Sequence, residues 1–176
     1  MSSSSLLFPD IDEAVLQKDA SRSLLKYSGH FHPSLITHAS GSYIYTSTSH
    51  RMLDWTSGQM STLLGHGHPE VVATLAAHAA SLDHLFSTML TPPVISLAKQ
   101  ITDLLPKSMG EAKCLFLSTG GESNEAAIRL AKFYTGRFEV VGLSASWHGI
   151  TGGAIGAQYK TGRRGYGPGT SPISTL

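Results

Sequence analysis

Between residues 113 and 143 the apolar pattern changes period twice, and this limits the fold more than any other feature of the chain. Lys113 to Leu117 is an apolar run of strand length. Gly120 to Tyr134 carries Ala127, Leu130, Ala131 and Tyr134 at helical spacing, and Phe138 to Leu143 is a second apolar run. Strand, helix, strand predicts a right-handed crossover between parallel strands. Both strands are apolar on both faces, as expected where helices cover a sheet from two sides, so the predicted class is α/β. Hydrophobic residues make up 41% of the 176 and charged residues 14%, which is enough apolar material to expect a buried core.

The turn between the first run and the helix reads LSTGGESNE, residues 117 to 125. At the carboxyl end of a parallel strand, the first N–H groups of the next helix are unpaired and carry partial positive charge. Gly120 and Gly121 therefore allow an anion to approach closely, and Thr119 adds a hydroxyl. Thr119 and Glu122 also form a T-x-x-E capping box, so a well-capped helix with no ligand explains the same residues. The longer nucleotide fingerprints GxxxxGK[ST] and GxGxxG are absent. The second run leads into SASWHG, residues 144 to 149, on the side of the sheet where ligands of open α/β folds bind. Trp147 offers a stacking face and His148 a polar contact. Taken singly, core packing and a backbone-satisfied histidine explain these two; with the turn they describe a site for a phosphorylated aromatic cofactor.

Upstream, the spacing predicts a helix through Ile11, Ala14, Val15, Leu24 and Leu25, and then a hairpin of Tyr43–Thr46 and Arg51–Trp55. Helices are predicted over His68–Ser81 and Pro93–Leu105. The expected organisation is a disordered Ser-rich start (1–10), a small-domain segment with helix and hairpin (11–62), the beginning of a cofactor-binding domain (63–159) and a Gly/Pro-rich loop tail (160–176). A net charge of +1 argues against a nucleic-acid partner. Cys114 lies in an apolar run and is expected to be a small buried thiol. No apolar run is long enough to span a bilayer, and no secretory signal is evident, so a cytoplasmic, non-membrane protein is expected. His66 and His68 alternate like a metal pair, but a loop-to-helix entry explains them better than zinc. The cluster Lys160, Arg163, Arg164 reads as a solvated loop.

LSTGGESNEAAIRLAK, SWHGITGG, LDWTSGQMSTLLGHGHPE and LDHLFSTML together resemble the class III (ω-type) aminotransferases, and within them most closely dialkylglycine decarboxylase. The resemblance runs from about Leu24 to Gly167. It implies a fold-type I pyridoxal-phosphate-dependent transferase, represented by its amino-terminal portion. Thr119, Gly120 and Gly121 would hold the phosphate, Trp147 would stack on the pyridine ring, and His148 would sit beside it. Gln59 would face the substrate, while Asn124 and Glu125 match helix positions near the cofactor. Leu85 and Ser87 would give part of an alkali-cation site for K or Na. Expected partners are amino acid and 2-keto acid substrates and a second copy of the chain in a homodimer. The family's Schiff-base lysine is expected beyond these 176 residues, and none of the seven lysines present matches its motif. Two readings follow from the resemblance: a decarboxylating aminotransferase, or a non-catalytic chain that binds phosphate or pairs with a full-length homologue.

Overall fold

A computed structural model describes residues 12–26, 29–82, 84–143, 145–158 and 173–175. The expectations for the Ser-rich start, for Ile11 and for Lys160, Arg163 and Arg164 lie outside them. The chain divides into two compact units, Met1–Met89 and Leu90–Leu176.

The first unit opens with helix α1 (Glu13–Ser23), N-capped by Asp12, whose carboxylate accepts from the Val15 N–H at 3.1 Å. A three-stranded antiparallel sheet follows in the order β1 (Ile36–Ser40), β2 (Tyr43–Thr46), β3 (Arg51–Leu53). The expected hairpin is present as β2 and β3, with Tyr43 opposite Leu53. Trp55 lies outside it, and β1 was not foreseen. Gly41, at φ +55°, makes the two-residue turn from β1 to β2 possible. The TSTSH turn is built differently, on the Thr46 hydroxyl, which accepts from the His50 N–H at 3.1 Å. Ser47 donates to Glu13 at 2.5 Å, tying α1 to this turn. A single turn α2 (Ser57–Met60) and helix α3 (Pro69–Ala79) complete the unit.

The second unit contains α4 (Pro92–Asp103), a 3-10 turn (Lys107–Met109), α5 (Gly120–Thr135), β4 (Val140–Gly142), α6 (Gly152–Gly156) and β5 (Ile173–Thr175). Helices α3, α4 and α5 fall where the periodicity predicts them. Two expectations fail. Residues 113–117 form no strand, because a strand exists only where a ladder partner exists, and no described segment pairs with them. The parallel partner of β4 is instead β5, Val140 opposite Ile173, within the stretch expected to be a loop tail. The crossover from 113–117 to 138–143 is therefore absent, although parallel pairing is real.

The expected core is also small. Among the described residues the buried hydrophobic side chains are Ala154 and Ala157, while Leu115, Leu130, Phe133 and Phe138 are exposed. Cys114 is half-buried, its thiol 3.7 Å from the Ala98 carbonyl, rather than fully enclosed. No helix among the described residues is long and apolar enough to cross a membrane.

Candidate functional site

Helix α5 begins with the predicted capping box. The Thr119 hydroxyl accepts from the Glu122 N–H at 3.1 Å, and Glu122 Oε2 accepts from the Ser118 and Thr119 N–H groups, both at 3.0 Å. The box leaves the N–H groups of Gly120 and Gly121 unpaired among the described residues. A Cβ built on Gly120 meets nothing within 4 Å, whereas one on Gly121 would touch the Thr151 side chain at 3.5 Å, so the open side of the turn is that of Gly120. Two free N–H groups at the positive end of a 16-residue helix suit a phosphate. Glu122 sets a limit, because its carboxylate already occupies the neighbouring donors and an anion must bind on the glycine side.

The loop that carries Trp147 and His148 is fixed to this helix. Asn124 Nδ2 donates to the His148 carbonyl at 2.7 Å. Gly149 adopts φ +119°, and a Cβ there would stand 2.6 Å from the Gly121 Cα, so the two glycines let backbone pass backbone. Thr151 donates to the Gly121 carbonyl at 3.5 Å. Helix α6 follows, and its orphan N–H groups of Gly153 and Ala154 donate to Glu125 Oε1 at 2.6 and 3.4 Å. Burial alone would raise the Glu125 pKa. The Thr151 hydroxyl, the Gly153 and Ala154 N–H groups and Arg129 outweigh burial and hold the carboxyl below its ordinary 4.5. Gln158, fully buried, donates from Nε2 to the Gly149 carbonyl. Ser146 Oγ is buried without a partner among the described residues. The structure thus joins Gly121 to the His148–Thr151 backbone. Trp147, next along the chain, is 54% exposed.

Gln59 belongs to the first unit and sits in an unusual backbone. Ser57, Gly58, Gln59 and Met60 have φ of 48°, 58°, 65° and 67°, so α2 is a left-handed turn. Such a turn costs about 1–2 kcal/mol for each non-glycine residue and needs support. Asp54 supplies it. Oδ1 accepts from the Thr56 N–H (2.9 Å), the Thr56 hydroxyl (2.6 Å) and the Ser57 N–H (3.0 Å), while Oδ2 accepts from Gly58 N–H (3.3 Å) and His66 Nε2 (2.8 Å). The Thr56 side chain first, and His66 next, hold the Asp54 carboxyl far below its ordinary 3.8. His66 thus spends its Nε2 on the Asp54 carboxylate at 2.8 Å, and its backbone bridges Gly41. Leu85 and Ser87 are both exposed, Ser87 in the turn closed by Met89 N–H on the Phe86 carbonyl, and no group of three or more His, Cys, Asp or Glu suited to a metal occurs among the described residues.

Sequence reasoning placed Asn124 and Glu125 near the site but missed Asp54, Gly149 and Gln158. Asp-Trp-Thr-Ser-Gly, residues 54 to 58, is an Asx-turn pattern that points to Asp54. Gly149 and Gln158 carry no local signal, since their roles depend on a neighbour far along the chain.

The defining sequence pattern of the family described as Aminotransferase class-III matches residues 26–175. An uncharacterized aminotransferase of Schizosaccharomyces pombe is 48% identical over 90% of this chain and 35% of its own length. Acetylornithine aminotransferase 1 of Bordetella parapertussis is 33% identical over 77% of this chain and 35% of its own. A thermostable (S)-enantioselective omega-transaminase of Thermomicrobium roseum superposes with a TM-score of 0.83 at 25% identity, over 95% of this chain and 40% of that one. The chain thus spans about a third of the length of these curated relatives, and its architecture is that part of an α/β fold-type I pyridoxal-phosphate-dependent transferase. Each of these relatives is an aminotransferase or transaminase.

Proposed function

This chain belongs to the class-III aminotransferase family, and from that premise we propose that its second unit holds the phosphate and ring of pyridoxal 5'-phosphate without turning it over alone. The observation that carries this reading is the pair of unpaired N–H groups at Gly120 and Gly121, with the loop bearing Trp147 and His148 fixed beside them. Thr119, Gly120 and Gly121 bind the phosphate, Trp147 covers the ring and His148 lines its edge. When bound, the cofactor supplies an electron sink for a bond at the substrate α-carbon. The residues of this chain bind and orient it. None of the seven lysines present matches the family's Schiff-base motif, and the part read for this chain is to bind the cofactor, by itself or by pairing with a full-length homologue. In the whole enzyme the substrates are an amino acid and a 2-keto acid.

One observation favours a second, finer reading. Gln59 is held on a strained turn, as expected of a side chain that must be presented at a fixed angle. In the decarboxylase reading it orients the carboxylate of a 2,2-dialkylglycine, and Leu85 and Ser87 contribute oxygens to an alkali cation.

The test is titration of the 176-residue chain with pyridoxal phosphate, followed by borohydride reduction and mass-spectrometric mapping of any pyridoxyl-lysine. Binding that inorganic phosphate competes away, with no single lysine labelled stoichiometrically, is expected. Gly120→Pro removes one donor at a first-turn position that tolerates proline, next to a residue already extended at φ −137° and ψ 159°. Binding that survives this substitution unchanged counts against the phosphate site.

A further inference from the structure

Thr151 is the N-cap residue of α6, yet its side chain makes no cap bond to that helix; its hydroxyl lies between the Gly121 carbonyl, at 3.5 Å, and the Glu125 carboxylate. The cap of α6 comes from another helix: Glu125 Oε1 receives the Gly153 and Ala154 N–H groups. At five residues, α6 is too short to stand without such support. Glu125 lies one turn along α5 from Gly121, on the same face. The carboxylate therefore fixes the far end of the loop whose near end carries Trp147 and His148, and it does so from the helix whose first turn presents Gly120 and Gly121.

We propose that Glu125 is a positioning residue for the cofactor site: its ionised carboxylate, by capping α6, sets the spacing between the phosphate turn and the Trp147–His148 loop. The inference rests on the pyridoxal phosphate reading of that site. An ionised carboxylate suits the role because it only accepts, and it meets two backbone donors. Arg129, one turn further along α5, supplies the counter-charge. A glutamine of the same shape keeps one acceptor oxygen but forms weaker bonds to it and brings an NH2 group into a site made of donors. The role is one of geometry, exerted through the backbone of α6 and the loop before it.

The distinguishing signature is a split between two probes. A phosphate alone needs only the α5 N-terminus, whereas pyridoxal phosphate needs the turn and the loop together. The full 176-residue chain is compared with its Glu125→Gln and Glu125→Ala variants. Binding of inorganic phosphate and of pyridoxal phosphate is measured, with hydrogen exchange of the amides of 148–154 followed in parallel. The expected result is a roughly tenfold loss of pyridoxal phosphate affinity in both variants. Phosphate affinity stays within about twofold, and exchange at Gly153 and Ala154 is faster. A parallel fall in both affinities assigns Glu125 to general folding and overturns the proposal, as does Glu125→Gln binding pyridoxal phosphate like the parent chain. If the parent chain itself fails to bind pyridoxal phosphate, the cofactor reading falls and this role falls with it. Binding by the parent that the variants leave unchanged overturns this role alone.

Discussion

Two carboxylates, one in each unit, support backbone that would not hold its shape unaided, and they do so in opposite ways. Asp54 gathers its donors from a short stretch, Thr56 to Gly58, and adds only His66 from further along the chain. Glu125 reaches 28 and 29 residues ahead, to Gly153 and Ala154, and works alongside Asn124, Gln158 and the Gly121–Gly149 contact. The first is a single clasp on a left-handed turn. The second is one member of a distributed network. A single clasp makes its turn depend on one side chain, whereas a network shares the load except where two backbones meet.

The largest effect is therefore expected at that meeting point. Gly149→Ala places a methyl 2.6 Å from the Gly121 Cα at a backbone of φ +119°. Neither atom belongs to a flexible side chain, so one segment must move, at a cost of roughly 3 kcal/mol or more. Loss of amide protection over 119–123 and 148–154 together, with loss of pyridoxal phosphate binding, is the expected readout. Protection lost on one side only would show that the two segments are not joined as described.

Asp54→Ala should come next. It strips the turn of the side-chain acceptor that holds it among the described residues and leaves the Ser57 and Gly58 N–H groups to water, so the left-handed run 57–60 is expected to revert to right-handed or irregular backbone. Backbone chemical shifts of Gly58 and Gln59 report this directly. Asp54→Asn keeps one acceptor oxygen and should retain part of the turn. In the distributed corner Glu125→Ala should leave the Asn124 bond to His148 in place, and retention of that bond separates network from clasp.

Acid sharpens the contrast further. Both carboxyls are lowered in the folded chain, so each contributes stability above its unfolded value, 3.8 for Asp54 and 4.5 for Glu125, and loses it as pH falls through the folded value. The depression at Asp54 is the larger. On acidification from about pH 5, the 148–154 amides should lose protection before Ser57 and Gly58 do. The reverse order would mean that His66 and Thr56 do not hold Asp54 ionised.

These two regions also mark how far sequence pattern reaches. Helices α3, α4 and α5 were legible because periodicity and terminal prolines or a capping box are local signals, and the capping box at Thr119 and Glu122 forms as written. The run 113–117 was misread because apolar content says that a segment can enter a sheet, whereas only a neighbouring ladder makes it a strand. The pairing of β4 with residues 173–175 was hidden by the glycines and prolines around them. Thr119, Gly120, Gly121, Trp147 and His148 stand out as candidates from order and type. Gly149 and Gln158 were not, since their work is done on carbons and carbonyls distant in sequence. The apolar faces around Leu130 and Phe133, both exposed, follow the same logic: their pattern was plain and their covering was not.

The smallest effect tests a third kind of support, one confined to a single turn of chain. Thr119→Ala removes the hydroxyl that accepts from Glu122 N–H and leaves Glu122 Oε2 still able to receive the Ser118 and Thr119 N–H groups. Loss of such a cap costs about 1 kcal/mol, so the first turn of α5 should fray without unfolding the helix. Fraying disorders Gly120 and Gly121, and phosphate affinity should fall by about tenfold at most, since 1.4 kcal/mol corresponds to that factor. The corner itself is held by Asn124 and Glu125, one turn further in, and its amides should exchange as before. Measured by phosphate titration beside hydrogen exchange, a drop in affinity with the 148–154 amides unchanged would place the phosphate donors in the self-capped turn and their alignment with the loop in the network behind it. Exchange that rises throughout would mean that the capping box, and not Glu125, is what holds the two together.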